Sequence, residues 1–320
     1  MLSVLESVRV ARGLTQSTLE ATSGISQAAI SLIETGRQQL SSSVRDALAD
    51  ALGVPPLLLE ASAPIVHLRH STKHAVPARA IKRVGAELTL ALLHVDLLAG
   101  NIRHDVANWP LNDALPADRA LAVRRTWRIS SGAVTDIIGL FEEHGIICLY
   151  RDLSGLRMDA IAATSEDGRA LMFIDPKADA DAAGWGMAHE LGHLVMHDSS
   201  DAMNEAAADA FAGEFLAPRS ELRARREAGA DIDDLALEYG VPPAEFARHA
   251  QRGRLVTVAE YRCLRRTSST NRAQLPGPSR LVEALRRHIR DSGDPIEAVA
   301  ASAFLTAEAL QRDYLDGSRS

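Results

Sequence analysis

Cysteine is scarce in this sequence. Only Cys148 and Cys263 are present, far apart and in no metal-type spacing. That excludes a disulfide framework and fits a reducing compartment. Aromatic residues are also few, at 4% of the chain. With Ala and Leu abundant, the balance leans toward helix. No stretch approaches the ~18 apolar residues that a membrane span needs. The opening Met1-Leu-Ser-Val-Leu-Glu6 lacks the basic start and long apolar run of a signal peptide. A cytoplasmic protein with no membrane partner is expected. Nor is there an excess of positive charge: the net charge is −7. This argues against a generic polyanion binder but leaves a local DNA-reading face open.

The 320 residues suffice for two or three domains. The patterning predicts a mainly α protein with a small β-sheet (α+β). Four segments are expected: a helical unit over 1–60, a connector and helical segment over 61–115, a core over 116–219 and a helical extension over 220–320. The connector run 61–83 carries Arg69, Lys73, Arg79, Lys82 and Arg83, with no acid among them from His67 on. It reads as a solvated linker, or as an auxiliary phosphate contact for a neighbouring DNA-binding unit. A helix is expected over 78–107, with Leu88, Leu92, Val95 and Leu98 on one stripe. In the core, helices are expected over 116–127, 134–144, 183–198 and 202–216, and strands over 146–150, 161–164 and 170–174.

The strongest chemical signal is His189-Glu190-Leu191-Gly192-His193. Histidines at i and i+4 share one helix face, so both imidazoles reach a single cation. Zinc suits two nitrogens and one carboxylate, with the fourth position open. Glu190 is placed to take a proton from water and pass it to a leaving amine. The surrounding helix is apolar (Trp185, Met187, Ala188, Leu191, Leu194, Val195), and buried histidines there need partners. Glu205 and Asp209 follow, again at i and i+4. Glu205 reads as the third ligand and Asp209 as the hydrogen-bond partner that sets a histidine tautomer. One Zn2+ per chain is expected. His197 reads as a helix-end residue or pocket wall. His249, Tyr239 and Tyr261 are open choices for oxyanion stabilisation, with ordinary packing the plainer reading of each.

Residues 116–219 resemble the ImmA/IrrE family of zinc metallopeptidases. The stretches are Ala122-Val-Arg-Arg-Thr-Trp127, Glu142-Glu-His-Gly-Ile146, Met187 to His197, and Glu205-Ala-Ala-Ala-Asp-Ala-Phe-Ala-Gly-Glu-Phe-Leu-Ala-Pro218. Where the family commonly has Glu-x-Glu-Ala-Asn-x-Phe-Ala, Ala207 replaces the second Glu and Asp209 the Asn. Glu205 is kept. The resemblance implies a zincin-like fold and endopeptidase activity on a helix-turn-helix repressor, relieving repression in stress response or mobile-element control.

Residues 2–59 are ordered like a five-helix, phage-repressor type helix-turn-helix. Val4, Val8 and Ala11 supply a first apolar face, and Leu19 and Ala21 are expected to face the core. Thr15 caps one helix and Ser26 the next, with Gly24 at the turn. The helix from Gln27 to Glu34 is the natural recognition helix. On it Gln27 suits adenine, Ala28 a thymine methyl, and Ser31 lies on the same exposed side. Gln16 and the N-terminal amides of its helix are candidate phosphate contacts, and Arg37 is a further candidate DNA-binding residue. The stretch resembles the Xre/Cro repressor family, within which Glu34 reads as structural. One feature opposes easy DNA binding: residues 1–60 carry four arginines against six acids, a balance of −2.

The extension over 231–265 resembles a helix-turn-helix-like addition and reads as packing or substrate placement. Residues 280–320 read as an amphipathic cap, with Leu281, Leu285 and Ile289 on one face and a homodimer among its uses. The expected function is a DNA-binding transcriptional regulator with zinc endopeptidase activity. Its partners are a double-stranded operator and a protein substrate: a helix-turn-helix repressor, or this chain's own N-terminal module in a partner molecule. The rivals are a transcription factor whose metallopeptidase-like domain is a non-proteolytic sensor or scaffold, and a peptidase whose N-terminal module recognises protein.

Overall fold

The computed structural model describes residues 2–69, 76–98, 115–153, 155–156, 158–196, 202–267 and 280–316. It opens with helices α1 (Val4–Ala11), α2 (Gln16–Ser23), α3 (Gln27–Glu34) and α4 (Ser42–Leu52), then a 3-10 turn, Pro56–Glu60, in place of a fifth helix. Ser3, Thr15 and Ser26 each accept a hydrogen bond from an amide of the following first turn, satisfying donors that the helix itself leaves unpaired. Gly24 ends α2 at φ 71°, where a Cβ is unfavourable. Val4, Leu5, Val8, Leu19, Ile30, Ile33, Leu48 and Leu52 close the core. Ala21, expected inside, is exposed, and only Leu19 is buried on α2.

The connector expected over 61–83 contains a strand, β1 (Val66–Arg69). Its alternation is only four residues long, too short to stand out from polar surroundings. Helix α5 (Ala78–Leu98) follows; the part of its expectation from 99 to 107 lies outside the described residues, as does Lys73. Then come α6 (Pro116–Thr126), α7 (Ile137–Glu143), β2 (Ile146–Tyr150), β3 (Ala160–Ser165) and β4 (Ala170–Ile174). The expectation of a helix from 134 starts early, because Asp136 caps α7 by accepting from the Gly139 amide.

The sheet order is β1-β3-β4-β2, with β1–β3 and β3–β4 antiparallel and β4–β2 parallel. Strands β2 and β4 are buried along their whole length, which their unbroken apolar runs require, since both faces are covered. One face presents Ile146, Cys148, Ala160, Ala162 and Met172 to helices α8 (Ala180–Met196) and α9 (Ala202–Leu216). The other presents Ile147, Leu149, Ile161, Leu171 and Phe173 to α5 and the C-terminal helices. The alternation is the period of two that a strand imposes.

Helices α10 (Arg219–Glu227), α11 (Ile232–Glu238), α12 (Pro243–Arg252) and α13 (Val258–Leu264) extend the α9 side. Helices α14 (Arg280–Ser292), α15 (Ile296–Ser302) and α16 (Ala307–Leu310) cover the back of the sheet. The apolar face of α14 is thus spent inside the chain: Leu281 and Leu285 are buried and Ile289 packs beside them. No helix among the described residues is long and apolar enough to cross a membrane.

Candidate metal centre

Helix α8 lies on the sheet with His189, Glu190 and His193 all buried, their ligand atoms within 4.8 Å of one another. The imidazoles converge, with Nε2 of His193 3.1 Å from Nε2 of His189. Helix α9 brings Glu205 across, Oε2 to 3.4 Å from His189 and Oε1 to 3.4 Å from His193. One turn on, Asp209 Oδ1 lies 3.0 Å from His189 Nδ1. Accepting a hydrogen bond there puts the proton on Nδ1 and turns the Nε2 lone pair toward His193 and Glu205.

This approach of α9 depends on a glycine inside the motif. A Cβ at Gly192 would lie 3.2 Å from the Ala208 Cα and 3.2 Å from Phe211. The same device recurs at Gly213, where a Cβ would lie 2.3 Å from the His249 ring. On the sheet side, the Ala162 amide of β3 donates to Glu190 Oε2 at 3.1 Å. That donor has no side-chain signature, so only the fold could reveal it.

The donor set fits zinc on two grounds. Ligand atoms of a tetrahedral site with bonds of 2.0–2.1 Å stand about 3.3 Å apart; here the two Nε2 atoms are 3.1 Å apart, with Glu205 Oε2 3.4 Å from His189 and Oε1 3.4 Å from His193. The charge balance agrees, because three buried carboxylates surround two imidazoles, a surplus that a dication offsets. Burial opposes a charge on His189, yet hydrogen bonds to Asp209 and Glu205 and the charge of Glu190 push it up to about 9. Burial pushes Glu190 up to about 8, against the pull of His189 and the Ala162 amide.

The three oxyanion choices are engaged elsewhere. Tyr239 donates to Glu221 at 3.1 Å, and His249 Nε2 lies 2.8 Å from the Ala217 carbonyl oxygen. Tyr261 lies under the Arg265 guanidinium. His197 lies outside the described residues.

On the helix-turn-helix, Gln27, Ala28 and Arg37 are exposed, while Ser31 and Gln16 are half-buried. The Gln16 amide donates to Glu34 at 2.7 Å. Glu34 is buried and bonded by Arg9 at 2.6 and 2.9 Å, which accounts for its structural role.

A helix-turn-helix module joined to a domain with a helix-borne His-Glu-x-x-His motif on a mixed sheet fits a DNA-binding regulator with a metallopeptidase-type domain. The family comparison agrees: residues 5–59 match the helix-turn-helix family, and residues 141–250 match the peptidase family described as the IrrE N-terminal-like domain. No curated protein and no solved structure gives a match.

Proposed function

We propose that this chain is a transcriptional regulator with zinc-dependent endopeptidase activity that acts on a helix-turn-helix repressor. The observation that carries the reading is the convergence of His189 Nε2, His193 Nε2 and the Glu205 carboxylate, at 3.1 and 3.4 Å, beside Glu190. In this reading those three residues hold zinc and Asp209 fixes the His189 tautomer. Zinc supplies Lewis-acid chemistry, polarising a carbonyl and acidifying water. Glu190 takes a proton from the attacking water and returns it to the leaving amine. The Ala162 amide keeps one Glu190 oxygen occupied and so aims the other. Gln27, Ala28 and Ser31 read bases, and Gln16 and Arg37 contact phosphates. The substrate is a repressor bound nearby, or this chain's own N-terminal module in a second molecule; fusion to a DNA-binding unit raises the effective concentration of either.

The test is zinc content together with cleavage of a co-expressed helix-turn-helix repressor. Wild type is expected to hold near one zinc per chain, and Glu205→Ala to lose it. Glu190→Gln is expected to keep zinc while cleavage falls by a factor of about 10²–10⁴. Regulation in cells that survives Glu190→Gln leaves a non-proteolytic scaffold instead.

A further inference from the structure

The basic stretch at the start of α5 is not absorbed by the metal centre or by the helix-turn-helix core. Arg79, Lys82 and Arg83 are exposed on its first turns. They line a groove of about 460 Å³ whose opposite wall is the helix-turn-helix itself: Thr15, Gln16 and Ser17 at the start of α2, and Gln27 at the start of α3. Arg79 donates to the Gly13 carbonyl at 3.0 Å, just ahead of the α2 cap. Lys82 reaches Glu6 at 2.7 Å.

The position of this groove follows from how helix-turn-helix units dock. The start of the recognition helix enters the major groove, and the preceding helix crosses the phosphate backbone. A backbone lying across the start of α2 therefore passes the α5 cations. The module needs them. Of its four arginines, Arg9 is bound to Glu34 and Arg45 to Asp46 and Glu60, and Arg12 donates to the Gly53 carbonyl at 3.3 Å. Arg12 and Arg37 are its exposed arginines, in a unit whose balance is −2. The α5 cations offset that balance, with Arg83 also paired to Glu87 at 2.9 Å. They are also held in place, because α5 packs Leu90 and Leu93 on the helix-turn-helix core and Leu88, Leu92 and Val95 on the back of the sheet.

We infer that the DNA interface extends beyond the helix-turn-helix onto α5, with Arg79, Lys82 and Arg83 binding the phosphate backbone of the duplex. Glu6 competes for Lys82 and tempers that contact. The inference rests on the reading of the N-terminal module as a DNA binder.

The test uses the full chain and a fluorescein-labelled mixed-sequence duplex, with binding followed by anisotropy from 50 to 200 mM salt. Each phosphate contact contributes a slope of about −0.9 in log K against log salt. Arg79→Ala/Lys82→Ala/Arg83→Ala is expected to flatten the slope by about 2–3. Glu6→Gln is expected to tighten binding several-fold, a gain that no loss of folding produces. A control triple, Arg248→Ala/Arg252→Ala/Arg254→Ala, is expected to leave the slope unchanged. A slope identical to wild type in the α5 triple overturns the inference and leaves DNA binding by the helix-turn-helix standing; an equal loss in the control triple does the same. A wild-type chain that shows no salt-dependent binding overturns both readings.

Discussion

Two buried polar clusters in this chain are built on opposite principles. In the helix-turn-helix, Arg9 and Glu34 form a two-toothed ion pair at 2.6 and 2.9 Å, with Gln16 and the Leu14 carbonyl filling remaining positions. One cation meets one anion, and the cluster is closed. Around α8, His189 and His193 face the carboxylates of Glu190, Glu205 and Asp209, three acids against two imidazoles. Fold-keeping polar groups cancel among themselves, whereas a site for an external cation keeps a surplus that the cation offsets. Both clusters hold a glutamate in an apolar helix, so residue type and burial alone do not separate them. The charge sum does.

The largest test of this contrast is Glu34→Ala. It strands the Arg9 guanidinium in the core, and breaking a buried pair from one side costs about 3–5 kcal/mol. The measurement is urea unfolding of the full chain, where the helix-turn-helix transition is expected to move to lower denaturant. Replacing both partners, Arg9→Met with Glu34→Leu, is expected to restore much of the loss, since an apolar pair of similar size substitutes for a closed cluster. No recovery in the double variant breaks the distinction.

Histidines sharpen it next. Outside the metal centre, burial pushes His94 and His249 down to about 4, the opposite direction to His189. Their folded values lie below the ordinary 6.5, so the unfolded chain binds more protons between those limits and stability rises with pH there. Their contribution, about 3 kcal/mol for each histidine, is fully present above pH 6.5 and is lost as pH falls through 4. Urea midpoints measured from pH 7 to pH 4 are expected to fall steadily, and His249→Gln to reduce the slope. A flat profile sinks the assignment of His249 and His94 as neutral core groups.

Much of this was legible in the residues. The i, i+4 spacing of His189 with His193 and of Glu205 with Asp209 is local, and a helix turns local spacing into a shared face. Strands β2 and β4 were legible because continuous burial leaves an unbroken apolar run. What escaped depends on non-local approach. The Ala162 amide carries no side-chain signal, β1 is four residues long, and the face of α14 reads the same whether it covers the chain's own sheet or a second copy. Gln16, read as a phosphate contact, also reaches Glu34, a link between residues 18 positions apart that periodicity does not encode.

The two helices of the metal centre give the smaller tests, beginning with Asp209→Ala. Loss of a partner to a ligand histidine typically weakens metal binding 10–100-fold, and competition with a chromophoric chelator reads that directly. Zinc affinity unchanged in this variant removes Asp209 from the site.

The smallest effect belongs to Gly192, the residue that lets α9 approach. A methyl there meets the Ala208 backbone, which cannot swing aside as a side-chain tip does, and Phe211, which is fully buried. Overpacking of this kind costs about 1–3 kcal/mol, and the strain is relieved by moving α9 outward. That movement carries Glu205 and Asp209 away from His189 together, so Gly192→Ala is expected to lower both the unfolding midpoint and zinc affinity while leaving all the polar side chains in place. Zinc affinity held at the wild-type value with stability lowered would show that α8 absorbs the strain instead. The surplus of carboxylates would then be fixed by the sheet side of the centre and not by the spacing of its two helices.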